Sequence, residues 1–345
     1  METIIWGFLF GAILQYARLN RYDTIAGMAV LQDFSVAKAM GFSIGLGLLL
    51  MQLEIALGWA DYHIKPMLLV GIIAGGILFG IGMAILGYCP GTIAISLGQG
   101  SLDALIGIFG GLCGALAFSV FYPQLLPLLG PNYGAISLFT LMGGGTGFWL
   151  LTTLLAFSFM GLAWYLHQLQ TRDLRWLYAA IALVLLNCAL NLPQVAGHPM
   201  GASTAFPLAI MAVSGWGAAS YFDKILEPGT WELWFLAGAF LAGLVFSLID
   251  RSFRLVAVPR LWQELRGDSI AQRFAWSFVG GFLLLFGARM AGGCTSGHVI
   301  SGGMQFAISS MVFAVVVFAA FLGTGQIFYR RRRQALVQAR PVPLS

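Results

Sequence analysis

Two stretches of this chain, Gly134–Leu166 and Ile308–Phe328, carry no charged residue. A helix needs about 20 residues to cross the hydrocarbon of a bilayer, and both runs are long enough. Backbone placed in hydrocarbon must satisfy its own N–H and C=O groups, and a continuous apolar run of this length does so as a helix. Composition agrees: 59% of the 345 residues are hydrophobic and 9% are charged, whereas soluble domains carry about 25% charged residues. The expected fold class is an all-α polytopic membrane protein in a lipid bilayer. Its net charge of +5 comes from arginines flanking the apolar runs, so nucleic acid is excluded as a partner.

The first segment, "METIIWGFLFGAIL", lacks a basic leader and a small-residue cleavage site, and is expected to stay as a membrane segment. Loop charge sets the expected path. "YRRRRQALVQAR" (329–340), the loop 250–273 with Arg251, Arg254, Arg260, Arg266 and Arg273, and "QLQTRDLRW" (168–176) with Arg172 and Arg175 read as cytoplasmic. The uncharged "YPQLLPLLGPNYGA" (122–135) and the acidic "DKILEPGTWE" (223–232) read as outside. Crossings then fall at 1–36, 39–59, 66–100, 101–121, 133–167, 176–219, 231–249, 274–306 and 308–328. That gives about nine, with the N-terminus outside and the C-terminus cytoplasmic.

Four of these segments are too long and too interrupted to be plain helices. They break at "RLNRYD", "GYCPG", "NLPQVAGHPMGAS" and "GGCTSGH". Broken and plain segments alternate in both halves, which start from opposite sides, as in an inverted-topology repeat. The expected division is a first repeat over 1–121, a linking helix over 133–167, a second repeat over 176–328 and a cytoplasmic tail over 329–345. "GFLFG" at Gly7–Gly11 recurs as "GILFG" at Gly76–Gly80. Aligning Cys89 with Cys294 superposes Gly76 on Gly281, Gly82 on Gly287, Gly87 on Gly292, Ser96 on Ser301 and Gly98 on Gly303.

Non-helical backbone at membrane depth is tolerated where protein or a water-filled cavity covers it. The half-helices that follow such breaks aim free N–H groups and partial positive charge at the interior, a favourable place for an anion. Breaks entering from both sides therefore predict an hourglass-shaped path.

Cys89 and Cys294 stand at equivalent breaks, where a thiol offers a weak donor and a polarizable contact. Cys113 and Cys188, in uninterrupted apolar runs, read as small fillers. A disulfide framework is not expected. The "GFLFG" offset places Asn20 at the matching point of the first break, where it either binds a ligand or satisfies backbone. Arg18 and Arg21 either draw anions to the path or snorkel and pair with Asp23. Arg289 has the same ambiguity. Gln99, Ser96 and Ser296 lie beside the breaks, and His298 and His198 are ligands or braces for the loops. No His or Cys pair has metal-ligand spacing, and hydrolase, phosphate-loop and dinucleotide motifs are absent. No cofactor and no enzymatic activity are expected.

"GARMAGGCTSGH" (287–298), "FGIGMAILGYCPGTIAISLGQG" (79–100) and "GHPMGASTAF" (197–206) resemble the YeeE/YedE family, the sulfur transport domain proteins. The resemblance covers most of the chain, and "AGGCTSGH" is its most specific part. It implies a bacterial inner-membrane protein that takes up thiosulfate through a cysteine-lined hourglass and works with a small cytoplasmic sulfur carrier of the TusA type. Cys89 and Cys294 match two pathway cysteines of the family. The third belongs to an R-F-C pattern, which here reads Arg18-Leu19-Asn20, so an amide replaces a thiol and a related sulfur or selenium species is also a candidate cargo. The other readings are a membrane thiol enzyme exchanging persulfide or disulfide with a carrier, and a structural subunit of a membrane complex.

Overall fold

The structure is a computed structural model and describes residues 2–171 and 173–330. Arg172 and the tail residues 331–345, with their arginines, lie outside the described residues.

The chain folds into helices α1 (Glu2–Tyr16), α2 (Tyr22–Ala29), α3 (Ser35–Ala56), α4 (Leu69–Leu86), α5 (Pro90–Gly98), α6 (Leu102–Val120), α7 (Thr146–Leu169), α8 (Arg175–Asn191), α9 (Ala205–Ser214), α10 (Trp231–Ile249), α11 (Arg260–Arg266), α12 (Ile270–Met290), α13 (Thr295–Gly302) and α14 (Ile308–Phe328), with shorter helical turns between some of them. No strand forms among the described residues. Seven of the helical segments are long and apolar enough to span a membrane, one of them counted as α4 and α5 together, Leu69–Gly98. The protein is therefore a multi-pass all-α membrane protein. The segments α1 and α8 are shorter, at 15 and 17 residues. The expected linking helix over 133–167 is in fact two pieces: Leu138–Met142 ends at Gly143, where the backbone turns left-handed, and α7 restarts at Thr146.

Helix pairing has a definite pattern. The central pair is α4 and α12, antiparallel, with Gly75 against the Gly287 carbonyl and Gly82 against Gly280 and Leu284. A Cβ at any of these glycines would strike backbone, so the small residues permit the close crossing that membrane helices use for packing. Around this pair, α6 lies along α12, and α14 along α4. Further out, α1 runs beside α10 and α8 beside α3, each pair parallel. Exchanging α1, α3, α4 and α6 for α8, α10, α12 and α14 carries every one of these contacts into another of them.

Bonds between loops define two faces. On one, Lys65, His63 and Met67 bond Gly292, Gln305 and Gly134. On the other, Asp23 meets Leu261, Gly100 meets Val256, Gln170 meets Gln32, and Arg266 meets Phe328. The arginine-bearing loop 250–269 belongs to this second face. Arg273, read from sequence as a loop charge, does not: α12 starts at Ile270 and carries Arg273 one turn inward, where its side chain is fully buried against Asp103. A charge needs a partner in such surroundings, and Asp103 in α6 supplies it.

Candidate functional site

Three non-helical segments meet between the faces. The first is Gly87–Cys89. Helix α4 ends because Gly87 takes φ +76°, the left-handed region in which a glycine closes helices. Its last carbonyls, on Ile85 and Leu86, would be orphaned in a dry interior. Arg273 accepts that duty, donating from Nη1 to Ile85 O at 3.1 Å and from Nη2 to Leu86 O at 2.7 Å. The chain then restarts as α5 with Pro90 in its first turn and Cys89 as its N-cap. Cys89 N–H donates to Thr92 Oγ1 at 2.9 Å, and the Thr92 hydroxyl sits 3.3 Å from Cys89 Sγ. Thr92 thus closes a capping box in which cysteine holds the place usual for serine.

The second segment is 291–294. Cys294 is the N-cap of α13, a wide π-type helix, and its Sγ lies 3.1 Å from Ser296 Oγ. The two caps border one cavity: Cys89 and Thr92 line it from the first, and Thr295 and Ser296 from the second. Two half-helices, one entering from each face, therefore point their N-termini toward a shared space.

The third segment, 192–204, passes beside them, with Ala202 against Gly91. Asn187 of α8 holds it, accepting from Met200 N–H at 3.1 Å and from Ser301 Oγ at 2.8 Å. Arg289 ties its far end, donating to Ser203 Oγ at 2.9 Å and Thr204 Oγ1 at 3.2 Å, while its Nε is buried without a partner.

Below the two caps, toward the arginine-rich face, lies this cavity of about 70 Å³, room for several water molecules. Cys89, Thr92, Thr295 and Ser296 line one end and Leu14, Leu19, Ile25 and Met40 are among the other walls, and the surface facing the cavity is almost wholly apolar. Next to it, Asn20 is fully buried at the first break. Its Nδ2 donates to Gln99 Oε1 at 2.8 Å, and Ser96 Oγ donates to Asn20 O at 2.7 Å. Thr92, Ser96 and Gln99 are spaced four and three residues apart, so one face of α5 carries polar groups from Cys89 to Asn20. Asn20 Oδ1 is buried with no partner, an uncommon state for a buried carbonyl oxygen.

Arg18 and Arg21 are exposed on this face, lining an open cavity of about 420 Å³ with Asp23, Asp33, Arg260 and Glu264. Of the eight residues named from sequence as the candidate path, the structure gathers Cys89, Cys294 and Ser296 at the caps and Asn20 with Gln99 below them, and leaves Arg18 at the rim. His298 braces the turn after α12, and Arg289 bonds the Ser203 and Thr204 hydroxyls. His298 sits between Ala291 O, 3.0 Å from Nε2, and Ser310 Oγ, 2.9 Å from Nδ1, and stacks on Phe313. Both ring nitrogens are occupied in closing the turn. His198 stacks on Trp231 at 3.8 Å. Cys113 is exposed on α6, and Cys188 neighbours Glu54 of α3. Sequence reasoning missed Thr92, Thr295, Asn187 and Lys65; for Thr92 the spacing Cys-x-x-Thr before an apolar run is the legible signal. Among the described residues no His, Cys, Asp and Glu cluster could hold a metal.

Short half-helices that start on N-caps bordering one interior cavity define a class: multi-pass membrane proteins built on re-entrant half-helices. A family profile described as sulphur transport matches residues 22–324, and the chain belongs to that family. It is 25% identical over 346 residues to the thiosulfate transporter TsuA of Spirochaeta thermophila, covering 95% of this chain and 98% of that protein. A probable transporter of Xylella fastidiosa is 28% identical over 134 residues, 38% of this chain and 90% of that protein.

Proposed function

We propose that this protein is an uptake permease for thiosulfate, or a closely related sulfur- or selenium-containing anion, whose path runs between Cys89 and Cys294. The observation that carries this reading is that two half-helices, each with a cysteine N-cap, present their first turns to one cavity. A helix N-terminus carries about half a positive elementary charge, so two of them offset much of the charge of a dianion where water is scarce. Thiols add weak donors and a polarizable surface suited to a soft terminal sulfur. Family membership and the likeness to a thiosulfate transporter point to the same cargo.

The arginine-rich face, with Arg175, Arg251, Arg254, Arg260 and Arg266, is the cytoplasmic one by the positive-inside tendency, in the bacterial inner membrane. The N-terminus then lies outside, and α1 and α8 complete about nine crossings. The exchange symmetry of the helix contacts supports an inverted repeat of 1–121 and 176–328. An anion leaving the caps passes the Asn20, Ser96 and Gln99 face and emerges at Arg18 and Arg21. A TusA-type carrier would collect sulfur at this mouth, and its consumption keeps the movement downhill. Expression in cells lacking other sulfate and thiosulfate permeases should restore uptake of radiolabelled thiosulfate. No accumulation, with the protein present in the membrane, would overturn this cargo.

A further inference from the structure

The α3–α4 loop, 57–68, sends one cation into the second break. Lys65 Nζ donates to Gly292 O at 2.9 Å. The residue is half-buried, and its ammonium lies against the turn that carries Cys294. A Cβ on Gly293 would collide with Nζ, and one on Gly297 would come within 3.0 Å of it. Two glycines of the "GGCTSG" stretch therefore form a cradle for this ammonium, and Gly292 supplies its acceptor. The loop is pinned on both sides of Lys65, by His63 N–H to Gln305 Oε1 at 2.6 Å and by Ser309 Oγ to Lys65 O at 2.9 Å.

The charges around it are few. Cys294, Glu232, Arg289 and His298 are within electrostatic range. Glu232 is already engaged, accepting from Thr204 N–H at 2.6 Å. Burial lowers the pKa of Lys65, Cys294 and Glu232 oppose the shift, and Arg289 adds to it. An ammonium has three donors, and Gly292 O takes one. What remains is a half-buried cation with spare donors, on the face opposite the arginine-rich loops and beside the turn of Cys294.

We infer that Lys65 is the capture and selectivity residue for the entering anion: it binds a doubly charged oxyanion at the outer approach to Cys294 and disfavours singly charged ones. This inference rests on the transport reading above. The anion meets Lys65 before it meets the half-helix N-termini, so the side chain governs affinity at entry more than passage through the caps.

The test is radiolabelled thiosulfate uptake by cells expressing wild type, Lys65→Gln and Lys65→Arg, with competition by sulfate (divalent) and S-methyl thiosulfate (monovalent). Loss of a charge-assisted contact should raise KM about tenfold in Lys65→Gln with little change in maximal rate. The preference for divalent competitors should also disappear, and Lys65→Arg should restore it. An unchanged KM, or faster uptake through an unplugged turn, would overturn the inference and leave the transport reading intact. If wild type accumulates no thiosulfate, the transport reading fails and the inference falls with it. If Lys65→Gln does not reach the membrane, wild type alone decides: equal inhibition by the two competitors refutes the inference, and stronger inhibition by the divalent anion supports it.

Discussion

Arg273 and Asp103 form a fully buried ion pair, Nη2 to Oδ2 at 2.6 Å, that also fixes where α4 stops. The same guanidinium caps the Ile85 and Leu86 carbonyls and lies 4.4 Å from the Tyr22 ring centre and 4.7 Å from that of Trp262. Tyr22 in turn bonds Tyr329, and Tyr88 bonds Asp103. Removing one member of a buried pair strands the other and costs about 3–5 kcal/mol. Asp103→Asn and Arg273→Met should each lower the thermal stability of the detergent-purified protein by that order. The double variant Asp103→Leu with Arg273→Met should recover only part, because the α4 carbonyls stay uncapped. Full recovery would show that Arg273 has no role at the break.

Arg18 occupies a position that suits glycine. Its φ is +58°, and the bonds from Arg18 N to Gln15 O and from Leu19 N to Leu14 O close α1 in a Schellman turn. Left-handed backbone costs a non-glycine residue about 1–2 kcal/mol. Arg18→Gly should therefore raise thermal stability by about 1 kcal/mol while slowing anion uptake, since it removes a cation from the mouth. Stability and uptake rising together would show that Arg18 contributes nothing to the path.

Asn20 separates an amide role from a packing role. Its Nδ2 holds Gln99, and its Oδ1 is buried without a partner. Asn20→Leu keeps much of the volume and removes both polar groups. It should lower thiosulfate uptake about tenfold, the scale of losing one or two buried polar contacts. Asn20→Cys, which restores the thiol of the family pattern, should retain uptake. Equal uptake by Asn20→Leu and wild type would remove Asn20 from the path.

Much of this was legible in the sequence because glycine and proline punctuate apolar runs so plainly. The stretch "GYCPG" reads as a break in an apolar run, and there α4 closes at Gly87 and α5 starts at Pro90 behind Cys89. The offset that aligned "GFLFG" with "GILFG" put Asn20 at the first break, and it lies there beside Ser96 and Gln99. Other features depend on contacts far apart in the chain. Arg273 resembles its neighbours in a basic loop, and only the helix start at Ile270 and the approach of Asp103 make it a buried charge. Lys65 sits in a polar loop that looks like any connector; its meaning arises 227 residues away, at Gly292. His298 and Arg289 show why residue type is a weak guide to role: both look like anion ligands, yet both ring nitrogens of His298 bond Ala291 O and the Ser310 hydroxyl, and Arg289 holds the Ser203 and Thr204 hydroxyls with only its Nε left over.

Transport as proposed requires Cys89 and Cys294 to share one path. The most direct measurement is initial-rate uptake of radiolabelled thiosulfate by Cys89→Ala, Cys294→Ala and the double variant, normalised to protein in the membrane. Each single variant should lose most of the uptake, and the double variant should lose little more, because both thiols act on the same passing anion. Uptake by either alanine variant equal to that of wild type would contradict the account.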